Sequence, residues 1–384
     1  MRVAIVHSEY ADGALSGENV TVEQQVALLR EAGHEVYVEV RTTLVERHRP
    51  AYLPRTAWRV ASGRGGAPSA ALADFAPDVV HLHNLFPNFG TDWLDDWDGP
   101  VVATLHNFRY GCANGLLLRD GKPCTDCLTG SSRAAVEHRC YRGSVAATVP
   151  LAVATRGGFA HAPVIQRADR LVALAPHARE VFVRFGAPER RIDVVPHGIA
   201  PRHGASTPGS SRPRFLAVGR LSPEKGFASL LRDWPAGHRL DIVGDGEQAA
   251  ALRRISSADV RFLGARDQSW RDEASGYTAL VAPGVAWEAA VPRVAIEAWE
   301  AGLPVVAFDG GGAGAGVRST GAGVTYQDAA SLAAALTSVV EAGDRLRAHA
   351  RATYEASFTP AAWVRAMDAT YRAAIDQRDA SGTR

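Results

Sequence analysis

Arg220 and Lys225 stand in the run VGRLSPEKGF (218–227), after the apolar segment Phe215–Val218 and before a helix-like stretch from Ala228 to Arg232. A strand ending at Gly219 and a helix opening near Pro223-Glu224 set both cations at the carboxyl edge of a sheet, where open α/β folds bind ligands. Two cations beside a helix N-terminus suit a phosphate or diphosphate, because backbone amides and side-chain charge point at the same anion. Among 42 basic residues only Lys122 and Lys225 are lysines, so Lys225 reads as a compact point charge placed for a purpose. A solvated first helical turn is the other reading of the same residues.

A second chemistry is written in the cysteines. All four fall in one segment, Cys112, Cys124, Cys127 and Cys140, with the central pair spaced C-x-x-C. Thiols confined to one loop-rich stretch with a close central pair point to a structural zinc site with four thiolate ligands. Free buried thiols are the alternative. A disulfide framework fits a cytosolic setting poorly, since that compartment is reducing.

These residues need elements to hold them. At 384 residues the chain suits two domains of about 150–200 residues each. Apolar runs alternate with helical patterns, which marks parallel α/β architecture. In the first half the runs are Val3–Val6, Val36–Val40, Val79–Leu82, Val101–Leu105, Leu171–Leu174 and Ile192–Val195, with a helix from Val20 to Ala32 closing at Gly33. The segment 199–213 is dense in Gly, Ser and Pro and reads as a linker. Beyond it the runs are Phe215–Val218, Leu240–Val243, Val260–Leu263, Ala279–Ala282 and Pro304–Phe308. Two doubly wound domains are the inference. The end, from Pro360, carries Trp363, Met367 and Tyr371 at helical spacing, a packing stripe.

Charge is nearly balanced, 42 basic against 41 acidic residues, so nothing draws the chain as a whole to nucleic acid. No apolar run reaches the roughly 20 residues of a membrane span. The start reads as a strand and not as a signal peptide, and the expected setting is cytoplasmic.

Further motifs stand in the second half. Gly244-Asp245-Gly246 succeeds one strand run and is expected to start a helix; alone it is a common strand-to-helix turn. Glu297 is expected early in a helix ending at Gly302, where a carboxylate can accept two vicinal hydroxyls, as ribose presents them. An ordinary helix glutamate favoured by the dipole is the plainer reading.

In combination, VGRLSPEKG, VGDG, RFLG (261–264) and the element from Glu297 to Pro304 resemble the family-four retaining glycosyltransferases of group 1, which have the GT-B fold. The first half matches in GENVTVEQQVALLREAGHEV (17–36), DVVHLHN (78–84), TLHNFR (104–109) and the stretch 169–199. The resemblance covers nearly the whole chain, in order. It implies α/β architecture with two Rossmann-like domains facing each other across a cleft: an acceptor domain over 1–199 with the four-cysteine insert at about 110–142, a nucleotide-sugar domain over 200–359, and a terminal helix over 360–384 that packs back on the first.

The resemblance also implies roles. The donor is a nucleotide-diphosphate sugar and the acceptor a hydroxyl on a glycan, a lipid-linked glycan or a natural product. Arg220 and Lys225 neutralise the diphosphate in place of a metal ion. Glu297 binds ribose hydroxyls, Glu288 sugar hydroxyls, and the backbone around Phe262 and Leu263 the base. Gly219 and Gly244 belong to the donor-binding turns. His106 faces the donor sugar, and the turn Ser16-Gly17-Glu18 approaches the phosphates or the acceptor, with Gly17 allowing close backbone contact. Sugar transfer passes through an oxocarbenium-like state as negative charge grows on the leaving phosphate, so fixed cations aimed there contribute most to the rate. Three departures stand against the family pattern: eight residues instead of seven between Glu288 and Glu297, GGGAGAG (310–316) in place of Gly-Gly followed by Pro-Glu, and Ser16-Gly17 in place of a double glycine.

Residues 41–64 carry six arginines with Tyr52, Leu53 and Trp58 among them. A solvated connecting segment is the favoured reading; docking on the inner membrane face, or holding a phosphorylated acceptor, is the alternative. Rival functions on the same residues are a sugar-nucleotide epimerase, a phosphorylase, or a zinc-stapled binding protein without catalysis.

Overall fold

The structure, a computed structural model, describes residues 1–9, 17–129, 131–202 and 212–382. Ser16, and the part of the expected linker from 203 to 211, lie outside the described residues. The chain forms two compact units, one of Met1–Arg119, Cys124–Pro196 and Trp363–Arg384, the other of Asp120–Pro123 and His197–Ala362.

The first unit is built on six strands: β1 (Arg2–Glu9), β2 (Glu35–Thr42), β3 (Val79–Leu82), β4 (Val101–Leu105), β5 (Arg170–Ala173) and β6 (Ile192–Val194). They pair in the order β2-β1-β3-β4-β5-β6, all parallel. Strands covered on both faces have no polar side to write, which is why Val3–Val6 is an unbroken apolar run and Val101–Leu105 is apolar but for Thr104, with every residue of both buried. The helices of this unit include α1 (Gly17–Glu31), α2 (Tyr52–Ser62) and α3 (Val145–Ala154). α1 begins three residues before the expected Val20.

The second unit repeats the scheme with β7 (Arg214–Val218), β8 (Arg239–Val243), β9 (Val260–Gly264), β10 (Ala279–Ala282), β11 (Val305–Phe308) and β12 (Gly323–Tyr326). Its order is β9-β8-β7-β10-β11-β12, again parallel. Phe215, Ile242, Val281, Val306 and Leu336 are buried in one core cluster. The helices of this unit include α4 (Phe227–Asp233), α5 (Arg293–Glu300) and α6 (Gly312–Thr320).

The last helix, α7 (Pro360–Gly382), joins the first unit from Trp363 onward. Trp363, Met367 and Tyr371, four residues apart, share one face and are at most 1% exposed. Tyr371 Oη lies 2.8 Å from His81 Nδ1, and His81 Nε2 lies 2.7 Å from Thr104 Oγ1. Burial pulls His81 down to about 3, so the ring is neutral and both nitrogens are spent on hydrogen bonds. Among the described residues no helix is long and apolar enough to cross a membrane.

Candidate functional site

In the second unit the strand order turns back between β7 and β10, and crevices at such a point are where doubly wound sheets hold ligands. The segments leaving those two strands carry three of the expected residues, Arg220, Lys225 and Glu288. Lys225 Nζ donates to Glu288 Oε1 at 2.5 Å, joining residues 63 positions apart. Arg220 Nη2 donates to Glu224 Oε1 at 2.8 Å, and Ser222 Oγ donates to the same oxygen at 2.6 Å. Burial acts to raise the Glu224 carboxyl, but these hydrogen bonds outweigh it and hold the group below its ordinary range. Glu288, with eight residues between it and Glu297, thus stands beside Lys225.

Local geometry corrects two expectations here. Pro223–Lys225 is a single 3-10 turn, and the helix starts only at Phe227. The cations thus precede the helix, held in a turn closed by a hydrogen bond from Lys225 N to Ser222 O at 3.1 Å. Likewise Gly244-Asp245-Gly246 does not start a helix; the next one begins at Ala249. Its glycine answers a packing need instead, because a Cβ on Gly244 would lie 1.9 Å from Gly219 O. The turns after β7 and β8 touch backbone to backbone, with Gly219 N donating to Val243 O at 3.0 Å.

Glu297 is the fifth of eight residues in α5, not an early one, and is buried. Burial raises its carboxyl, while Arg293, paired to it at 3.5 Å, and Arg271 act to lower it. Phe262 and Leu263 lie half-buried on β9, with Arg253 stacked on the Phe262 ring at 5.2 Å. The run GGGAGAG opens α6, and a Cβ on Gly312 would lie 2.8 Å from Glu288 Cβ. This glycine lets the loop that carries Glu288 rest directly on the helix start.

In the first unit His106 follows β4, half-buried, with Nε2 at 2.8 Å from His83 Nδ1. The His83 ring sits 4.2 Å from His81 and 6.2 Å from His7. A cavity of about 360 Å³ opens here, lined by His83, His106, Asn107, Arg109 and Tyr110, and by Arg59 of α2. Gly17 heads α1, and a Cβ there would meet nothing within 4 Å, so no contact within the chain requires a glycine. Its neighbour Glu18 is more constrained. Burial pushes the Glu18 carboxyl up to about 7, opposed by the charge of Arg109 and a hydrogen bond with Asn107, and its buried Oε1 has no hydrogen-bond partner among the described residues. Glu18 is written in the sequence only as part of a turn, but stands at the start of α1 with Asn107 and Arg109 from β4's exit acting on it.

The basic segment is partly a helix. α2 buries none of its residues and leaves Leu53 78% and Trp58 57% exposed, yet its Arg59 lines the cavity. Arg59 belongs to the basic stretch 41–64 singled out in the sequence, whereas Arg156 is a lining cation that sequence reasoning misses. The arginine-rich composition of 41–64 does not tell which of its arginines lines the cavity.

The four cysteines are unbonded to one another and line one cavity of about 20 Å³. Burial pushes the Cys127 thiol up to about 11, helped by proximity to Cys112, Cys140 and Cys124. Cys112 Sγ donates to Asn114 Oδ1 at 3.0 Å. Among the described residues no three His, Cys, Asp or Glu side chains stand in a metal-binding group, so the thiols converge without reaching ligand geometry.

Two family models match: Glycosyltransferase Family 4 over residues 15–203 and Glycosyl transferases group 1 over 212–342. A sequence search of curated proteins finds no match. Among solved structures the chain is similar to sucrose-phosphate synthase from Thermosynechococcus elongatus, at TM-score 0.67 and 19% identity over 97% of this chain and 98% of that one. It is also similar to HepE from Anabaena, solved with UDP and glucose, at TM-score 0.63 and 16% identity over 96% and 99%. A glycosyltransferase from Rickettsia africae gives TM-score 0.68 and 14% identity over 97% and 99%. These likenesses establish the fold: two parallel α/β domains of the GT-B type.

Proposed function

Because this chain belongs to the group 1 glycosyltransferases, with an amino-terminal half of family four, we propose that it moves a sugar from a nucleotide-diphosphate donor to a hydroxyl, with retention at the anomeric carbon and without a catalytic metal ion. The observation that carries this reading is the Lys225–Glu288 pair beside Arg220 at the turning point of the second sheet. An ammonium and a guanidinium there meet the charge that grows on a departing diphosphate, which is the work a divalent cation does elsewhere. A carboxylate held next to the ammonium can accept hydroxyls of the sugar being released. HepE, solved with UDP-glucose, supports a nucleotide sugar as the donor class.

In this reading Glu297 holds the ribose and Gly219, Gly244, Phe262 and Leu263 border the base and phosphates. His106 positions the sugar from the first unit and no residue is assigned as base. The acceptor is a hydroxyl on a glycan, a lipid-linked glycan or a natural product. The test is slow hydrolysis of nucleotide sugars. Arg220→Ala and Lys225→Ala are each expected to lower turnover by about 10²–10³-fold, the cost of removing one fixed donor to a developing anion. Both side chains are partly exposed, so circular dichroism should stay unchanged. Turnover equal to the parent in both variants refutes the assignment.

For the cysteines the reading is a structural zinc site of Cys112, Cys124, Cys127 and Cys140. Their soft thiolates suit zinc and all four line one small cavity, and binding would require them to draw closer together than they stand in this structure. Four protein ligands leave no open position, so the ion would staple the segment and take no part in transfer. Zinc near one equivalent in untagged protein purified under reducing conditions is the expected result; a value near zero removes the site.

A further inference from the structure

The cavity of the first unit has a one-sided charge. Arg59, Arg109 and Arg156 line it, and among the described residues no Asp or Glu does. Each guanidinium is held by uncharged groups or by none. Arg59 donates to Pro87 O at 3.4 Å, and Arg109 donates to Ala113 O at 3.1 Å and stacks on Phe86 at 4.5 Å. The Arg156 side chain is exposed and has no hydrogen bond or ion pair among the described residues. None of the three arginines forms an ion pair with a carboxylate among the described residues. Glu18 acts on Arg109 through its field but does not line the cavity.

This arrangement is costly as it stands. Burial, and then the neighbouring charge of Arg41, depress the basicity of Arg59, and the opposing fields of Glu46 and Tyr52 do not make up the loss. The Arg109 Nε is buried without a hydrogen-bond partner among the described residues. Planar guanidinium forks match a carboxylate or phosphate with paired hydrogen bonds, and a partly dry wall strengthens that match. At about 360 Å³ the cavity lies in the range of small-ligand sites, with Phe86, Phe89 and Leu151 as its apolar wall and His106 on its lining.

We propose that this cavity is the acceptor subsite and that it selects an acceptor bearing a carboxylate or phosphate, the oxyanion lying among Arg59, Arg109 and Arg156. The proposal rests on the glycosyltransferase reading and names its acceptor class. A neutral sugar would give the three guanidinium groups no anion within the cavity.

The test uses the full chain saturated with UDP, so that the diphosphate site is filled, and calorimetric titration with glucuronate, glucose 6-phosphate and neutral glucose. At least one charged sugar should bind about ten-fold tighter than glucose at low salt, a preference that shrinks near 0.5 M salt. Arg59→Gln with Arg156→Gln should abolish the preference while the UDP affinity stays the same. Vesicles of phosphatidylcholine with and without phosphatidic acid separate a lipid-borne phosphate from a soluble one. Binding to the acidic vesicles that vanishes in the double variant, without glucose 6-phosphate binding, assigns the anion to a lipid. If neither charged sugars nor acidic vesicles are preferred, or if the preference survives the double variant, the proposal is overturned. A parent protein that fails to bind any nucleotide diphosphate would instead overturn the transferase reading beneath it.

Discussion

Replacing Glu18 by Gln should change how stability depends on pH. The Glu18 carboxyl is pushed from its ordinary 4.5 up to about 7, with burial as the main cause. The native state therefore holds a proton that the unfolded chain has lost between those two values. Stability from this group is complete below pH 4.5 and is lost as pH rises toward 7. At about 1.4 kcal/mol per pH unit the loss amounts to about 3 kcal/mol. Gln keeps the shape and cannot ionise. Glu18→Gln should thus match the parent near pH 4.5 and exceed it by about 3 kcal/mol at pH 8, which corresponds to about 6–12 °C in the melting of a domain of this size. Differential scanning calorimetry at pH 4.5, 6 and 8 reads this directly, with the transition of the first unit followed separately. Parallel profiles for the two proteins would show that Glu18 ionises in the native state as it does in water, and burial would then have no hold on this carboxyl.

Two further outcomes come from the packing. Tyr371→Phe removes the partner of the buried His81 Nδ1 and should cost about 1–3 kcal/mol, measured as a lower urea midpoint with unchanged slope; an unchanged midpoint would mean that the terminal helix does not depend on this bond. Gly244→Ala places a methyl group 1.9 Å from Gly219 O, which only backbone movement can relieve. It should cost about 1–3 kcal/mol and weaken UDP binding, both visible in a thermal shift with and without UDP; parent-like shifts would remove the turn from the site.

Much of the fold is legible in the sequence because a strand covered on both faces is mostly apolar, and a polar residue within it, such as His81 or Thr104, must find a buried hydrogen-bond partner. Val79–Leu82, Val101–Leu105 and Ala279–Ala282 fall where the apolar runs lie. β12, Gly323–Tyr326, escapes because its short run begins with glycine and alternates Val with Thr. Helix starts are less readable. The run SPEKG has the composition of a helix opening, but closes first into a 3-10 turn whose last residue is Lys225. The stripe of Trp363, Met367 and Tyr371 is packing in the sequence and in the fold alike, since a period of four residues marks one helix face whatever lies against it.

The sequence by itself determined which residues could carry charge chemistry: a rare lysine beside an arginine after an apolar run, and cysteines gathered in one segment. It determined the alternation of strand and helix as well, because burial leaves its mark within a few residues. Only the tertiary structure decided that Lys225 meets Glu288, through the adjacency of β7 and β10. It alone decided that Glu18 feels Arg109 and that Arg59 turns inward. Strand order is a long-range choice among sheets that bury similar apolar surface, so it leaves no local pattern, and the electrostatics of the site follow from that order.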